Sequence, residues 1–344
     1  MPIIDATKRI TRRLRPSPKA PQCCLHLGMP KTATTSLQTN VFSQHAQISY
    51  LGKFPPKNIR DFPSAAAQAL TAHVLGQPAS SPAICRRRVS KWIEPAESNG
   101  KIPLWSKEGL TAGSAEHKHK QARRFHEIFA DCKIAIFIRH PLKFMESFYF
   151  QNLRGFQKSD SEKHHLIQRF GEPPQYFSIE NWIETMWNLP SQGAFGHLRC
   201  AETADAYAKV FGKERVQIFL FEKLVENSSE TIGDLCRFFG VDPKEGSRLF
   251  QQKRQNDRWT LAQTERLKEI QTSPSMTLLF RKSSSKDRKQ MLGYDPDAGT
   301  SSASKARVKI PAKWRERTIQ FVREDHQRLV EHWGLPLEKY GYPL

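Results

Sequence analysis

The segment Leu25-His-Leu-Gly-Met-Pro-Lys-Thr-Ala-Thr-Thr-Ser-Leu37 joins an apolar strand to a helix through a short turn containing glycine and proline. Such a junction directs free backbone N–H groups and the positive end of the helix toward one point, which favours a phosphate or sulfate group. Lys31 adds a cation at this point. Hydroxyl donors are supplied by Thr32, Thr34, Thr35 and Ser36. The segment therefore predicts an anion-binding loop after the first strand.

Strand and helix signals alternate outward from this loop along most of the chain. Buried strands are predicted at 22–27, 102–105, 133–138 and 216–221. Helices are predicted at 34–44, 117–130, from 141, at 229–239 and at 311–333. This alternation predicts an α/β fold with a central, mostly parallel sheet flanked by helices. Sheets of this type bind ligands at the carboxyl ends of their strands, where the loop lies.

The spacing within the loop differs from that of nucleotide triphosphatases. The ordinary phosphate loop has its lysine six residues after the first glycine and a hydroxyl that binds Mg²⁺. Here Lys31 follows Gly28 by three residues, and no Gly-Lys-Ser/Thr triplet follows. A P-loop-type nucleotide kinase or NTPase is therefore the weaker alternative, and no metal is expected.

A second candidate anion site is the segment Ile138-Arg-His-Pro-Leu-Lys-Phe-Met-Glu-Ser-Phe-Tyr149. Arg139 ends a predicted strand, and its planar guanidinium suits a phosphate. Pro141 stands where a helix begins, and Ser147 lies nearly two turns further along that helix. Either segment alone is a weak signal, whereas the two in this order point to one doubly anionic ligand.

Together the two segments resemble the PAPS-dependent sulfotransferase family, in particular its bacterial, carbohydrate-sulfotransferase-like members (PAPS is 3′-phosphoadenosine 5′-phosphosulfate). Residues 26–38 are similar to the family's 5′-phosphosulfate loop, PKTGTTSL, and residues 138–149 to its 3′-phosphate motif, RxPxxxxxS. The resemblance implies a P-loop-like three-layer fold, PAPS as donor, 3′,5′-ADP as product and no metal. The implied donor-binding residues are Gly28, Pro30, Lys31, Thr32, Ala33, Thr34, Thr35, Ser36, Arg139 and Ser147.

Two positions depart from the family pattern. Ala33 stands where glycine is common, and because alanine tolerates helical angles better than positive φ, the loop is plausible if Ala33 begins the helix. His140 stands where the family often has aspartate or asparagine.

The resemblance also assigns catalytic roles. Lys31 is expected to stabilise charge on the bridging oxygen of the donor, and Glu108 to act as the general base, as in carbohydrate-modifying members. Three alternatives stay open: Glu108 as a solvated loop residue paired with Lys107, His26 as base, and His140 as base.

Charge is unevenly distributed along the chain, whose net charge is +20. Residues 1–20 and 281–309 each carry an excess of five positive charges. We predict a basic, disordered tail over 1–21 and a single domain over 22–344, with a flexible Ser/Lys-rich insertion, read as a long loop, at about 273–310. Such charge favours an anionic substrate, polysaccharide or membrane surface, so a non-catalytic polyanion-binding protein is a further alternative.

Location and partners follow from what the sequence lacks. Six scattered cysteines form no CxxC pair, and the N-terminus has no apolar core typical of a signal peptide. The longest strongly apolar run, 134–138, is too short to span a membrane. We expect a cytoplasmic enzyme with no nucleic-acid partner and a hydroxyl-bearing acceptor, either a glycan or a glycolipid, with peripheral membrane contact as an open alternative. The sequence indicates no oligomeric state.

Overall fold

A computed structural model describes residues 22–52, 64–78, 80–155, 178–189, 193–251, 260–293 and 306–344. Within these ranges five strands form one sheet in the order β2-β3-β1-β4-β5, with every neighbouring pair parallel. The strands are β1 (Gln22–Gly28), β2 (Ile48–Leu51), β3 (Ile102–Ser106), β4 (Asp131–Ile138) and β5 (Val216–Leu220). The predicted α/β, P-loop-like fold with a central parallel sheet is confirmed.

Helices cover both faces of this sheet. The first, α1 (Thr34–Ser36), continues directly as a π-helical segment over Leu37–Phe42. The others are α2 (Ser64–Leu75), α3 (Pro82–Ser98), α4 (Ala115–His126), α5 (Pro141–Gly155), α6 (Ile179–Trp187), α7 (Cys200–Phe211), α8 (Phe221–Glu226), α9 (Ser228–Phe239), α10 (Pro243–Gln251), α11 (Leu261–Thr272), α12 (Pro274–Lys282), α13 (Ser285–Met291) and α14 (Ala312–Glu331). Short 3₁₀ turns lie at Glu108–Thr111, Ala194–His197, Lys213–Arg215 and Glu338–Tyr340.

The central strands β1 and β4 are buried on both faces, as their uninterrupted apolar runs predict. Leu25 and Leu27 face a large core built with α2 to α5, α7 and α14. Cys24, on the opposite face of β1, packs in a second core with the π-helical segment, α9 and α10. The anion-binding loop is thus anchored at the centre of a three-layer structure.

The prediction of one long loop over 273–310 is wrong for its first part, which forms α12 and α13. Its serines act as helix caps: the Ser273 hydroxyl accepts from the Met276 N–H, and the Ser284 hydroxyl accepts from the Asp287 N–H. Phe280, buried in the larger core, holds α12 against the domain.

Other sequence expectations lie outside the described residues. These are the disorder of residues 1–21 and the flexibility of residues 294–305. Within the described parts of the chain, none of the helices has the length and apolarity that crossing a bilayer requires.

Candidate active site

Three adjacent strands end at one edge of the sheet and bring the predicted site segments together. Strand β1 lies between β3 and β4, with His26 in register with Ser106 and Gly28 with Phe137. Two backbone bonds prolong this pairing beyond the strand ends, from Met29 N–H to Phe137 O (2.9 Å) and from Lys107 N–H to His26 O (3.0 Å). The loop with Lys31, the turn with Glu108 and the residue Arg139 therefore follow three neighbouring strands.

The anion-binding loop turns by means of two non-glycine residues with positive φ, Lys31 (72°) and Ala33 (61°). Ala33 does not begin the helix with helical angles, because it is the left-handed N-cap residue of α1. The chain passes from strand to helix within five residues, and this tight turn is closed by the Thr32 hydroxyl, which donates to Met29 O at 2.7 Å.

Gly28 is required by close packing beneath the loop. A Cβ at this position would lie 2.4 Å from Thr34 Oγ1 and 3.1 Å from His26 Cε1, both well inside ordinary contact. The hydroxyls of Thr32 and Thr34 are buried and lie 3.3 Å apart. Because the Thr32 proton is donated within the loop, an anion would be bound chiefly by the backbone N–H groups of the first helical turn, which have no acceptor inside the helix.

Arg139 connects the two predicted anion motifs. Its Nη1 donates to the carbonyl oxygen of Lys31 at 2.8 Å, and its guanidinium carbon lies 4.5 Å from the centre of the Phe221 ring. A guanidinium carries five N–H donors in a planar fork, so one side chain is able to hold the loop and bind an anion together. Ser147 is nearly buried on α5, the helix that begins two residues after Arg139.

The C-terminal residues brace the junction between β4 and α5. The His140 N–H donates to Glu222 Oε1 (3.0 Å), and the Tyr342 hydroxyl donates to Glu222 Oε2 (2.7 Å). His140 Nε2 donates to Gly341 O at 2.9 Å. Burial lowers the pKa of His140, so its ring is a neutral structural group here.

His26 is also structural. Its ring is completely buried, and the Ser106 hydroxyl lies 2.8 Å from Nδ1 while accepting from the Gln38 amide at 2.9 Å. Burial lowers the pKa of His26 to about 3. A ring sealed between the sheet and the π-helical segment is a poor candidate for an acceptor's base.

Glu108 begins the 3₁₀ turn directly after β3 and is half-buried. The Thr111 hydroxyl lies 3.0 Å from the carbonyl oxygen of Glu108 and 2.7 Å from His197 Nδ1. His197 comes from the distant turn Ala194–His197 and was not anticipated from the sequence, where it stands without a motif. Glu222 and Tyr342, whose contacts support the residue after Arg139, were missed as well.

A metal site is not evident among the described residues, where no three His, Cys, Asp or Glu side chains are grouped to hold an ion. What the strand ends do assemble is a loop suited to one anion, an arginine suited to another and, after the neighbouring strand β3, the turn that begins with Glu108.

Comparison with known proteins gives one family match, in which residues 23–297 match the family model described as a sulfotransferase domain. No curated protein sequence matches the chain. Among solved structures, a sulfotransferase from Alicyclobacillus acidocaldarius is similar at 16% identity and a TM-score of 0.42, over 81% of this chain and 99% of the other. The sulfotransferase domain of the Synechococcus PCC 7002 olefin synthase is similar at 13% identity and a TM-score of 0.37, over 90% of this chain and 96% of the other. Mouse sulfotransferase SULT7A1 complexed with PAP is similar at 11% identity and a TM-score of 0.39, over 94% of this chain and 88% of the other.

Proposed function

The chain belongs to the sulfotransferase family, and we propose that it transfers a sulfuryl group from PAPS to a hydroxyl group of its acceptor, releasing 3′,5′-ADP. The observation that carries the choice of donor is the bond from Arg139 Nη1 to Lys31 O. It joins the two anion motifs in one site, as a nucleotide with phosphate groups at both its 3′ and 5′ positions requires.

Donor binding is divided between two elements in this proposal. The turn from Gly28 to Ser36 binds the 5′-phosphosulfate through helix N–H groups and Lys31. Arg139, together with the Ser147 hydroxyl on α5, binds the 3′-phosphate. PAPS carries roughly four negative charges, so a chain of net charge +20 favours its approach.

The chemical step is a direct in-line displacement. The acceptor oxygen forms a bond to sulfur while the bond from sulfur to the bridging oxygen breaks, and the electron pair of that bond stays on the 5′-phosphate. Lys31 stabilises the negative charge that develops on the bridging oxygen. No enzyme nucleophile and no metal enter this step.

Glu108 takes the proton of the acceptor hydroxyl as the new bond forms. Its place at the end of β3, next to the strand that carries the loop, supports this role. The complete burial of His26 and the bond from His140 to Gly341 O make the two histidines weaker candidates.

For the acceptor we propose a hydroxyl of a glycan or glycolipid, and for the location of the enzyme the cytoplasm. We also propose that residues 22–344 form one domain, with residues 1–21 as a basic tail. These proposals rest on the family resemblance and the charge distribution.

Thermal unfolding in the absence of metal tests the choice of donor. We expect 3′,5′-ADP to stabilise the protein by about 2.7 kcal/mol at a concentration of 100 Kd, and 5′-AMP at the same concentration to do much less. Equal shifts with both nucleotides would refute the proposal. Selective stabilisation by ATP with Mg²⁺ would favour a kinase or NTPase, and strongly salt-dependent heparin binding without any nucleotide shift would favour a polyanion-binding protein.

Two variants separate the roles within the site. Lys31→Ala is expected to abolish transfer yet keep the preference for 3′,5′-ADP over 5′-AMP, measured by isothermal titration calorimetry. Arg139→Ala is expected to abolish both transfer and preference. The control is Arg215→Ala, which removes an arginine ion-paired with Asp131 at 3.0 Å near the opposite end of the sheet.

A further inference from the structure

A hydroxyl connects the turn of Glu108 to a histidine from another part of the chain. Thr111 Oγ1 lies 3.0 Å from the backbone oxygen of Glu108 and 2.7 Å from Nδ1 of His197. The histidine is 86 residues further along the chain, at the end of the turn Ala194–His197. The contact therefore ties the end of β3 to a distant element.

Counting protons gives these two bonds a direction. A threonine hydroxyl has one proton, and a carbonyl oxygen only accepts, so Thr111 donates to the Glu108 oxygen. The hydroxyl then accepts from His197, whose proton must reside on Nδ1. The order of donation is therefore His197 Nδ1–H to Thr111 Oγ1 to Glu108 O.

The His197 ring is held in place by its burial and by contacts with two aromatic rings. Thr111 is 1% exposed and His197 7% exposed. The imidazole lies 6.0 Å from the ring centre of Phe144 and 5.9 Å from that of Phe148. Both phenylalanines belong to α5, which also carries Ser147.

We propose that His197 is a positioning residue for sulfuryl transfer, which acts through Thr111 to hold Glu108 in place relative to α5. This inference rests on the proposed function, since it concerns the proposed base. Its physical basis is that a base acts only within hydrogen-bonding reach of the acceptor proton, and small displacements of a reacting group cost large factors in rate.

Two substitutions of His197 separate positioning from direct chemistry. The asparagine amide of His197→Asn places an N–H near the location of Nδ1, whereas the glutamine amide of His197→Gln reaches the location of Nε2. We expect the asparagine variant to retain most of the turnover and the glutamine variant to lose about tenfold, because only the first preserves the bond to Thr111. The reverse order would mean that Nε2 itself acts on the substrate, and turnover equal to that of the wild type in both variants would mean that the bond has no role.

A second pair of variants, at Thr111, tests the same bond in case the His197 variants fail to fold. Thr111→Val has nearly the same shape but no hydroxyl, and Thr111→Ser restores the hydroxyl. We expect the valine variant to lose about tenfold in turnover and the serine variant to recover most of it, with the Kd for 3′,5′-ADP changed less than about twofold in both. Wild-type turnover in Thr111→Val would overturn the proposal.

The choice of probe acceptor distinguishes a displaced base from general damage. Transfer from PAPS is measured to methyl glucoside, an alcohol, and to p-nitrophenol, a phenol largely ionised in mildly alkaline buffer. An ionised acceptor needs no base, so His197→Gln, Thr111→Val and Glu108→Gln should lower transfer to the alcohol much more than transfer to the phenol. Equal losses on both acceptors would contradict a positioning role.

A measurement that needs no activity completes the test. In ¹⁵N-labelled protein, His197 should show the Nδ1–H tautomer, identified by the signal that His197→Asn removes, and Thr111→Val should change it. An Nε2–H tautomer would overturn the inference even if the enzyme transfers sulfate. Failure of wild-type protein to distinguish 3′,5′-ADP from 5′-AMP would instead refute the proposed function and leave the tautomer result standing by itself.

Discussion

Two residues of the anion-binding loop, Lys31 and Ala33, adopt the left-handed conformation that glycine adopts without penalty. Each costs roughly 1–2 kcal/mol relative to a right-handed residue. The loop keeps this shape because bonds on both sides hold it, from Thr32 Oγ1 to Met29 O and from Arg139 to Lys31 O. Strain of this kind is typical of a ligand site whose shape is set before binding.

Ala33→Gly should relieve part of this strain. Glycine accepts φ of +61° without a steric penalty, although it also gains freedom in the unfolded chain. The expected net effect is a rise in the free energy of unfolding of up to about 1 kcal/mol, measured by urea denaturation.

A matched control is Ala262→Gly in α11, where the alanine is exposed and helical. There glycine should lower the free energy of unfolding by about 1 kcal/mol. If both variants lowered the free energy of unfolding equally, Ala33 would not have the left-handed conformation in the folded protein.

At the scale of elements, the junction between β4 and α5 is held by the end of the chain. Glu222 at the start of α8 accepts from the His140 N–H with one oxygen and from the Tyr342 hydroxyl with the other. Tyr342 is 5% exposed. Arg139 immediately precedes this junction, so the C-terminal segment affects where its guanidinium lies.

Tyr342→Phe should therefore weaken both stability and donor binding. Removing a buried hydroxyl that donates to a carboxylate costs about 1.5–3 kcal/mol in the free energy of unfolding. We also expect the Kd for 3′,5′-ADP to rise several-fold, measured by calorimetry, because the turn that carries Arg139 loses a support.

Tyr340→Phe is the matched control. Its hydroxyl donates to Glu226 Oε2 at the same distance, 2.7 Å, but this pair is exposed to solvent. The variant should change the free energy of unfolding by less than about 1 kcal/mol and leave nucleotide binding unaltered. Equal effects of the two variants would show that the C-terminal segment does not brace the donor site.

At the scale of the whole molecule, two histidines are enclosed as neutral groups. Burial lowers the pKa of His26 to about 3 and that of His326 to about 4. His326 lies in α14, and its Nδ1–H donates to Pro343 O at 2.7 Å. Both rings bind protons more readily in the unfolded chain, where the pKa is 6.5.

Stability should consequently fall as the pH drops from about 6.5 toward 4. In this range the unfolded chain takes up protons that the folded chain does not, which lowers the free energy of unfolding. Each histidine should contribute a loss of about 2 kcal/mol between pH 7 and pH 5. Urea denaturation across this range measures the slope.

The histidines are identified by comparing slopes rather than absolute stabilities. His26→Gln and His326→Gln should each flatten the dependence on pH, whatever they do to stability at pH 7. His332→Gln replaces an exposed ring and serves as control. Slopes like that of wild type in both buried variants would show that other groups govern the acid response.

The sequence alone determined the sheet centre and the place of the two anion motifs. Uninterrupted apolar runs identified β1 and β4 as strands covered on both faces, and parallel strands end at a common edge, so both motifs were expected at the same edge of the sheet. Each of these patterns lies within a few consecutive residues, so it is visible in the sequence alone. The serines around residues 273–284 led to the wrong prediction of a loop, because serine is common both in loops and at helix caps. The burial of Phe280, which favours a helix packed on the domain, is visible only in the structure.

Only the tertiary structure decided which groups meet. The bond from Arg139 to Lys31 O spans 108 residues, and the contact between Thr111 and His197 spans 86. No periodicity encodes such pairs, because they depend on how three layers bring separate strand ends and turns to one edge. The left-handed angle at Ala33 has the same origin: the strand below and the helix beyond impose it on a residue whose own preference is helical.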